Sequence, residues 1–278
     1  MKNRYREYDK ETLKKLKEVE MEITDEIKRI CDKHKLKYFL IGGSLLGAIR
    51  HKGFIPWDDD MDIGMFRKDY DLFIKYAKEE LDKKYYLDSF ETNKNYYLPF
   101  AKVRKNNTIF DEEENHHMNN HKGIYVDIVP IDNATSEDNL RQKFQAIMTR
   151  SIIMTMFYKN KIRPLKELRY KPLVLFLSIF SKQRLMKMQD KIMRIIKDDN
   201  SPYVVILAGS YNYKKETNKR EIYLPLINIP FENRVYPGIK DYDTYLTKIY
   251  GDYMKLPPKE KRVNHIPINI VFDTKKGK

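Results

Sequence analysis

Asp58, Asp59, Asp60 and Asp62 crowd four carboxylates into five residues of the stretch "GGSLLGAIRHKGFIPWDDDMDIGM", residues 42–65. The chain carries 54 Lys and Arg against 40 Asp and Glu, a net charge of +14, so acid gathered at one point asks for a cation or a proton between the groups. Residues 60–64, Asp-Met-Asp-Ile-Gly, alternate acid with apolar and predict a strand. On that strand Asp60 and Asp62 share one face, while Met61 and Ile63 point into the core. Carboxylates held this way suit a hard divalent ion such as Mg2+, which takes oxygen ligands and keeps substrate phosphates in its shell.

Asp127 is the one acid in an apolar run at 123–129. Flanked by Val126 and Ile128, it costs free energy unless it is paired, metal-bound or at an exposed strand end. If its strand lies beside the first, Asp127 is a third ligand or a general base. Asp58 and Asp59 either reach the same ion or are simply solvated. Upstream, Gly42-Gly43-Ser44 follows a strand and opens a helix, offering backbone N–H groups and a hydroxyl to a phosphate. An acidic turn is the better explanation of an isolated Asp-x-Asp, because acids in turns are common. The strand, glycine turn, helix and acid-bearing strand together make a far more specific pattern.

These residues need a scaffold. Asp9 can cap a helix in which Leu13, Leu16, Val19, Ile23, Ile27 and Ile30 recur at helical spacing, to about residue 33. Residues 37–41 read as a strand, 44–51 as a helix ended by Gly53, and 69–84 as a helix. Strands are predicted at 85–90, 100–104 and 123–129. The order gives an α/β (α+β) fold, a mixed sheet flanked by helices. Residues 136–200 are helical with Met-rich faces, broken by Pro164 and Pro172, and read as an insertion. Residues 201–270 mix short strands with one helix at 242–250, and 271–278 is expected to be a disordered tail. We read residues 1–278 as a single domain with its core at 9–135.

Composition narrows the class. Apolar residues at 41% and charged residues at 34% are a globular balance, and 21 Tyr with 13 Phe favour strands. A lone Cys31 excludes an internal disulfide and suits a reducing compartment. The N-terminus is charged throughout, and residues 172–180 form the longest apolar run at about nine residues, far short of a membrane span. A soluble, cytoplasmic protein is expected. The positive charge suits an anionic partner, but no zinc finger, RNP-type run or basic heptad helix points to nucleic acid.

Together, Gly42-Gly43-Ser44, Asp60-Met61-Asp62 and Asp127 resemble the site of the nucleotidyltransferase superfamily. The whole 42–65 run, with "FAKVRKNNT" (100–108), "YVDIVPID" (125–132) and "YLTKIYGDYMKLPPKEKR" (245–262), resembles the LicD family. Its members are phosphotransferases that decorate bacterial surface polymers with phosphocholine. The resemblance implies a nucleotidyltransferase-like core, with residues 201–270 completing the site. It implies transfer of phosphocholine from CDP-choline to a glycan hydroxyl, with release of CMP. Teichoic acid, capsule or lipopolysaccharide precursors, free or lipid-linked, are the expected acceptors. CDP-ribitol, CDP-glycerol or CDP-ethanolamine are alternative donors, since fukutin-like relatives share the motif. An inactive protein that binds phosphopolymer or nucleic acid is the alternative from another class.

On this reading Asp60, Asp62 and Asp127, with Asp58, hold Mg2+ (Mn2+ as the alternative ion), while Gly42, Gly43 and Ser44 brace the diphosphate. Arg50, Lys52, Lys102 and Arg104 are candidates for phosphate oxygens, Lys102 and Arg104 alternating on one strand. Lys261, Arg262 and His265 are candidates to close over the donor. A quaternary ammonium binds aromatic faces, so Trp57, Tyr97, Tyr125 and Tyr250 are eligible for choline, Trp57 foremost. His116, His117 and His121 are spaced for zinc, yet in an Asn-rich run a polar loop is the expected reading. The basic, Met-rich segment 163–194 reads as an amphipathic helix pair, with weak docking to an anionic membrane as its functional alternative.

Overall fold

The computed structural model describes residues 5–136, 139–167 and 169–275. Asp9 opens α1 (Lys10–His34) as the capping residue, its side chain accepting from the Thr12 N–H. The apolar face of α1, with Leu16, Ile23, Ile27 and Ile30 fully buried, packs on the sheet. After β1 (Phe39–Leu40) comes α2 (Gly42–His51), then β2 (Asp62–Phe66), α3 (Arg67–Glu80), β3 (Tyr85–Asp88), β4 (Ala101–Lys105), β5 (Ile109–Glu112) and β6 (Tyr125–Ala134).

The principal sheet runs β1-β2-β6-β4-β3. Only the β2–β6 pair on that path is parallel, and the mixed sheet with helices against it is the fold class the sequence predicts. Strand β6 lies at the centre and is buried at all ten positions. Its last residues, Asp132 to Ala134, pair with β7 (Tyr203–Val205), which carries the strand beyond the predicted end at 129. Several other boundaries differ by one to four residues. Helix α2 begins at Gly42 rather than Ser44, with the Leu45 N–H bonded to the Ile41 carbonyl. Strand β2 begins at Asp62 rather than Asp60, because ladder pairing to β6 starts where Asp62 meets Asp127. Helix α3 spans 67–80 rather than 69–84, since Leu81 leaves helical geometry before a turn into β3.

Helices α4 (Leu140–Lys159), α5 (Lys171–Leu177) and α6 (Lys182–Met193) fill the predicted helical stretch. Pro172 sits in the first turn of α5, where its missing N–H costs nothing. Ile152, Met156, Leu177, Leu185 and Met186 form an apolar cluster of their own, with Tyr97 against it. Beyond β7, α7 (Tyr213–Glu216) and β8 (Thr217–Lys219) extend the sheet, and β9 (Ile227–Phe231) forms a hairpin with β10 (Arg234–Gly238). Helix α8 (Tyr242–Tyr250) matches its predicted span, and β11 (Pro267–Val271) pairs antiparallel with β5.

Residues 271–275, expected to be a disordered tail, are held: Val271 ends β11 and the Thr274 N–H donates to the Asn107 carbonyl. The rest of that expectation, 276–278, lies outside the described residues. Among the described residues no helix is long and apolar enough to cross a membrane.

Candidate active site

The parallel register of β2 with β6 sets Asp62 directly beside Asp127. On the other side of β6, β4 pairs antiparallel and sets Lys102 opposite Asp127, so acid, acid and ammonium stand in one row across three strands. Lys102 Nζ donates to Asp127 Oδ1 at 2.6 Å and lies 3.4 Å from the centroid of the Tyr125 ring. Although Asp60 precedes the ladder, the chain there stays in register: the Asp127 N–H donates to the Met61 carbonyl, and Met61 and Ile63 are both fully buried. The alternation inferred from sequence therefore survives the later strand start.

The first turn of α2 faces the same acids. Gly42 has φ +54°, a left-handed backbone that side chains rarely adopt, and a Cβ there would lie 3.4 Å from Asp62 Oδ2. A Cβ on Gly43 would come within 2.9 Å of Asp58 Oδ2, so only glycine lets that carboxylate approach the helix start. First-turn N–H groups lack intrahelical acceptors, and the helix dipole favours an anion there. Of these groups, the Gly42 N–H is taken by the Tyr245 hydroxyl at 3.3 Å. Ser44 is 4% exposed and its Oγ accepts from the Asp62 N–H at 2.8 Å, tying α2 to β2. The hydroxyl thus positions the acid strand.

Burial and mutual repulsion push the carboxyls of Asp58 and Asp62 well above their ordinary range. Asp60 is raised by burial too, with His265 opposing the rise. Burial lowers the His265 imidazole, but the hydrogen bond the ring donates to Asp59 and the charges of Asp60 and Asp59 outweigh it and carry the ring well above its usual value. Oxygen-only groups that repel one another until something positive arrives are the donor chemistry hard divalent ions take.

Asp59 is neither solvated nor free. It is 2% exposed, its Oδ2 accepts from the Tyr8 hydroxyl, and its Oδ1 accepts from the His265 N–H at 3.0 Å. One donor atom each from Asp59, Asp60 and His265 lies within 4.8 Å of the others, but Asp59 already has both oxygens engaged. We read that trio as an anchor between chain segments.

Several candidates are placed elsewhere. Arg104 is 5% exposed, donates to Asp88 Oδ2 at 2.8 Å and to the Gly123 carbonyl, and so is spent inside the sheet rather than on a phosphate. Arg50 donates to the Tyr253 carbonyl at 2.6 Å, fixing the segment that follows α8 to α2. Lys52 ends α2 ten residues from Gly42, roughly 15 Å along the helix. Lys261 is exposed, with no ion pair among the described residues. Arg262 lies 4.0 Å over the Trp57 ring, and the two line a cavity of about 170 Å³ with Arg6 and Tyr8. A cation therefore already covers one face of Trp57.

Tyr125 is buried, bonded to Glu112 and stacked by Lys102 and Arg104, and Tyr97 belongs to the apolar cluster under α4. Neither can meet choline. Tyr250 remains: its hydroxyl lies 3.9 Å from the Gly42 Cβ position, and Tyr211, 41% exposed, packs edge-on against it at 5.9 Å. The histidines diverge, His116 to Asp111, His117 to the Asn160 carbonyl and His121 to Asn106, as a polar loop would.

Two groups had no counterpart in the sequence reading. Tyr211 carried no local signal. Glu20 did, as an acid on the apolar stripe of α1 between Leu16 and Ile23. It is 1% exposed, and burial followed by Asp60, Asp59 and Asp58 raises its carboxyl strongly.

A mixed sheet that sets acids on neighbouring parallel strands beside a glycine-led helix start is a nucleotidyltransferase-type architecture. The family described as LicD/FKTN/FKRP, nucleotidyltransferase domain, matches residues 35–176. Over 262 residues the chain is 31% identical to the lipopolysaccharide cholinephosphotransferase LicD of Haemophilus influenzae, covering 91% of this chain and 96% of that protein. The chain belongs to the LicD family of phosphotransferases. An uncharacterised protein of Rickettsia prowazekii, RP689, is 28% identical over 141 residues, 51% of this chain and 42% of its own. Human ribitol 5-phosphate transferase FKRP is 56% identical over 34 residues, 12% of this chain and 7% of that protein.

Proposed function

We propose that the chain transfers phosphocholine from CDP-choline to a hydroxyl of a bacterial surface glycan, a teichoic acid, capsule or lipopolysaccharide precursor, and releases CMP. The register of Asp62 with Asp127 beside the first turn of α2 carries the reading. The choice of donor is supported by likeness to the Haemophilus cholinephosphotransferase over nearly its whole length.

Asp60, Asp62 and Asp127 would hold a divalent cation, Mg2+ or Mn2+, with Asp58 at the edge of the set. Such an ion, when bound, supplies charge neutralisation on the diphosphate. The protein's own share is orientation. The N–H groups of Gly43 and Ser44 offer a cradle for phosphate oxygens, and Lys102 sits one position from the acids to balance charge. The acceptor oxygen attacks the phosphorus that carries choline, in line with the bridging oxygen, and that P–O bond breaks to release CMP. With Lys102 on Oδ1, Asp127 has Oδ2 left to share the cation or to take the acceptor's proton. Asp127→Asn distinguishes the roles: a base costs kcat alone, a ligand costs donor affinity as well.

Tyr250, with Tyr211 at its edge, supplies the aromatic surface nearest these acids for a quaternary ammonium. The short FKRP match keeps ribitol phosphate as the second donor. The test is CMP release with CDP-choline, CDP-ribitol, CDP-glycerol and CDP-ethanolamine, each with a Tyr250→Ala control. The reading requires preference for CDP-choline and a raised KM in the variant. Equal rates with all four donors would refute the choline assignment.

A further inference from the structure

Half of the chain's net charge sits in one tenth of its length. Residues 161–187 hold eight Lys or Arg and one Glu. Within that stretch α5 turns an apolar edge outward. Val174 and Leu177 are buried, Leu177 in the cluster formed with α4 and α6, whereas Leu175, Phe176 and, just past the helix, Ile179 are 46%, 58% and 71% exposed. The outward side chains form a patch rather than scattered singles, because Phe176 packs edge-on against Phe180 at 5.9 Å and Arg184 lies over Phe180 at 4.8 Å. The exposed cations Lys166, Arg169 and Lys171 precede the patch in the chain, and Arg184 and Lys187 follow it.

We propose that this surface docks the enzyme on an anionic lipid bilayer, with Leu175, Phe176 and Ile179 entering the headgroup boundary and the flanking Lys and Arg meeting lipid phosphates. The inference is independent of the donor and acceptor proposed above. Two features favour a bilayer over a protein partner. Two apolar side chains on a seven-residue helix and a third just past its end are too little for a stable protein interface, which needs roughly 600–1,000 Å² from each partner. A shallow apolar edge ringed by long basic side chains is, by contrast, the pattern of an interfacial anchor, since Lys and Arg stems follow apolar surface while their charged ends reach the phosphates. The helix is too short to span, so the attachment is peripheral and weakened by salt.

The test is co-sedimentation of the full-length protein with vesicles of phosphatidylcholine alone and of phosphatidylcholine mixed equally with phosphatidylglycerol. Binding is expected only to the mixed vesicles and is expected to be lost at high salt. The double variant Phe176→Asp/Ile179→Asp and, separately, Lys166→Glu/Lys171→Glu should each weaken it at least tenfold. The charge variant keeps the test valid if the apolar one fails to fold. Sedimentation equilibrium runs beside it. The proposal is overturned by absence of binding to the anionic vesicles, by equal binding to both compositions or by unchanged binding in a folded variant. A dimer that the apolar variant dissolves, without vesicle binding, would make a second copy the occupant and also overturn it.

Discussion

Asp62 stands where three demands meet: its N–H goes to Ser44, its carboxylate faces Gly42, and its neighbour across the ladder is Asp127. Without a cation this arrangement is costly, so Asp62→Asn should raise the melting temperature in EDTA, by roughly 1 kcal/mol of relieved repulsion, while cutting turnover by about 100-fold or more. Thermal denaturation and initial rates on one preparation check both signs. Lys102→Met works the other way: it strips the partner from Asp127 and should cost roughly 3 kcal/mol of stability, read by urea unfolding, together with activity. At this scale the sequence was informative where chemistry is carried by residue type. Asp60, Asp62 and Asp127 stood out because acids between apolar residues need a reason. Arg104 was misjudged because its partner, Asp88, comes from the neighbouring strand, and no local spacing marks that pair. Asp59 was indistinguishable from its neighbours until Tyr8 and His265 claimed it.

Elements with strong periodicity or caps were legible. Helix α1 begins after Asp9 and α8 spans the residues predicted for it. The β5–β11 pair was not, since its strands are more than 150 residues apart in sequence and their partnership is a tertiary fact. The end of β6 was missed for the same reason, as β7 pairs it. One element carries a pH prediction. Glu216, at the end of α7, is 3% exposed, and burial raises its carboxyl from 4.5 to about 7, opposed by a hydrogen bond from the Tyr211 N–H. A carboxyl raised in the folded state binds its proton more tightly there than when unfolded, so its contribution is full below about 4.5 and is lost as pH rises towards 7. The loss amounts to about 3 kcal/mol. Melting temperature should therefore fall between pH 5 and 7.5 more steeply in the native protein than in Glu216→Gln, whose amide does not titrate.

Across the whole molecule, Asp59 joins regions far apart in sequence. Tyr8 comes from the segment before α1, His265 from the segment before β11, and both close on the acidic loop. Asp59→Ala would leave the Tyr8 hydroxyl and the His265 N–H without their acceptor, a loss of roughly 3 kcal/mol, or on the order of 5–10 °C in Tm. Limited proteolysis should then cut after β10 sooner than in the native protein. Such convergence explains why the site residues lie at both ends of the sequence, and why the sheet order could not be read from a linear pattern.

The central claim is that Asp60, Asp62 and Asp127 act together on a cation-bound diphosphate. Its most direct test is CMP release from CDP-choline by the native protein and by Asp62→Asn, each with Mg2+ and with EDTA. The account predicts release by the native protein with Mg2+ alone, and none above background in the other three conditions. Equal release by the native protein in EDTA, or undiminished release by Asp62→Asn, would contradict it.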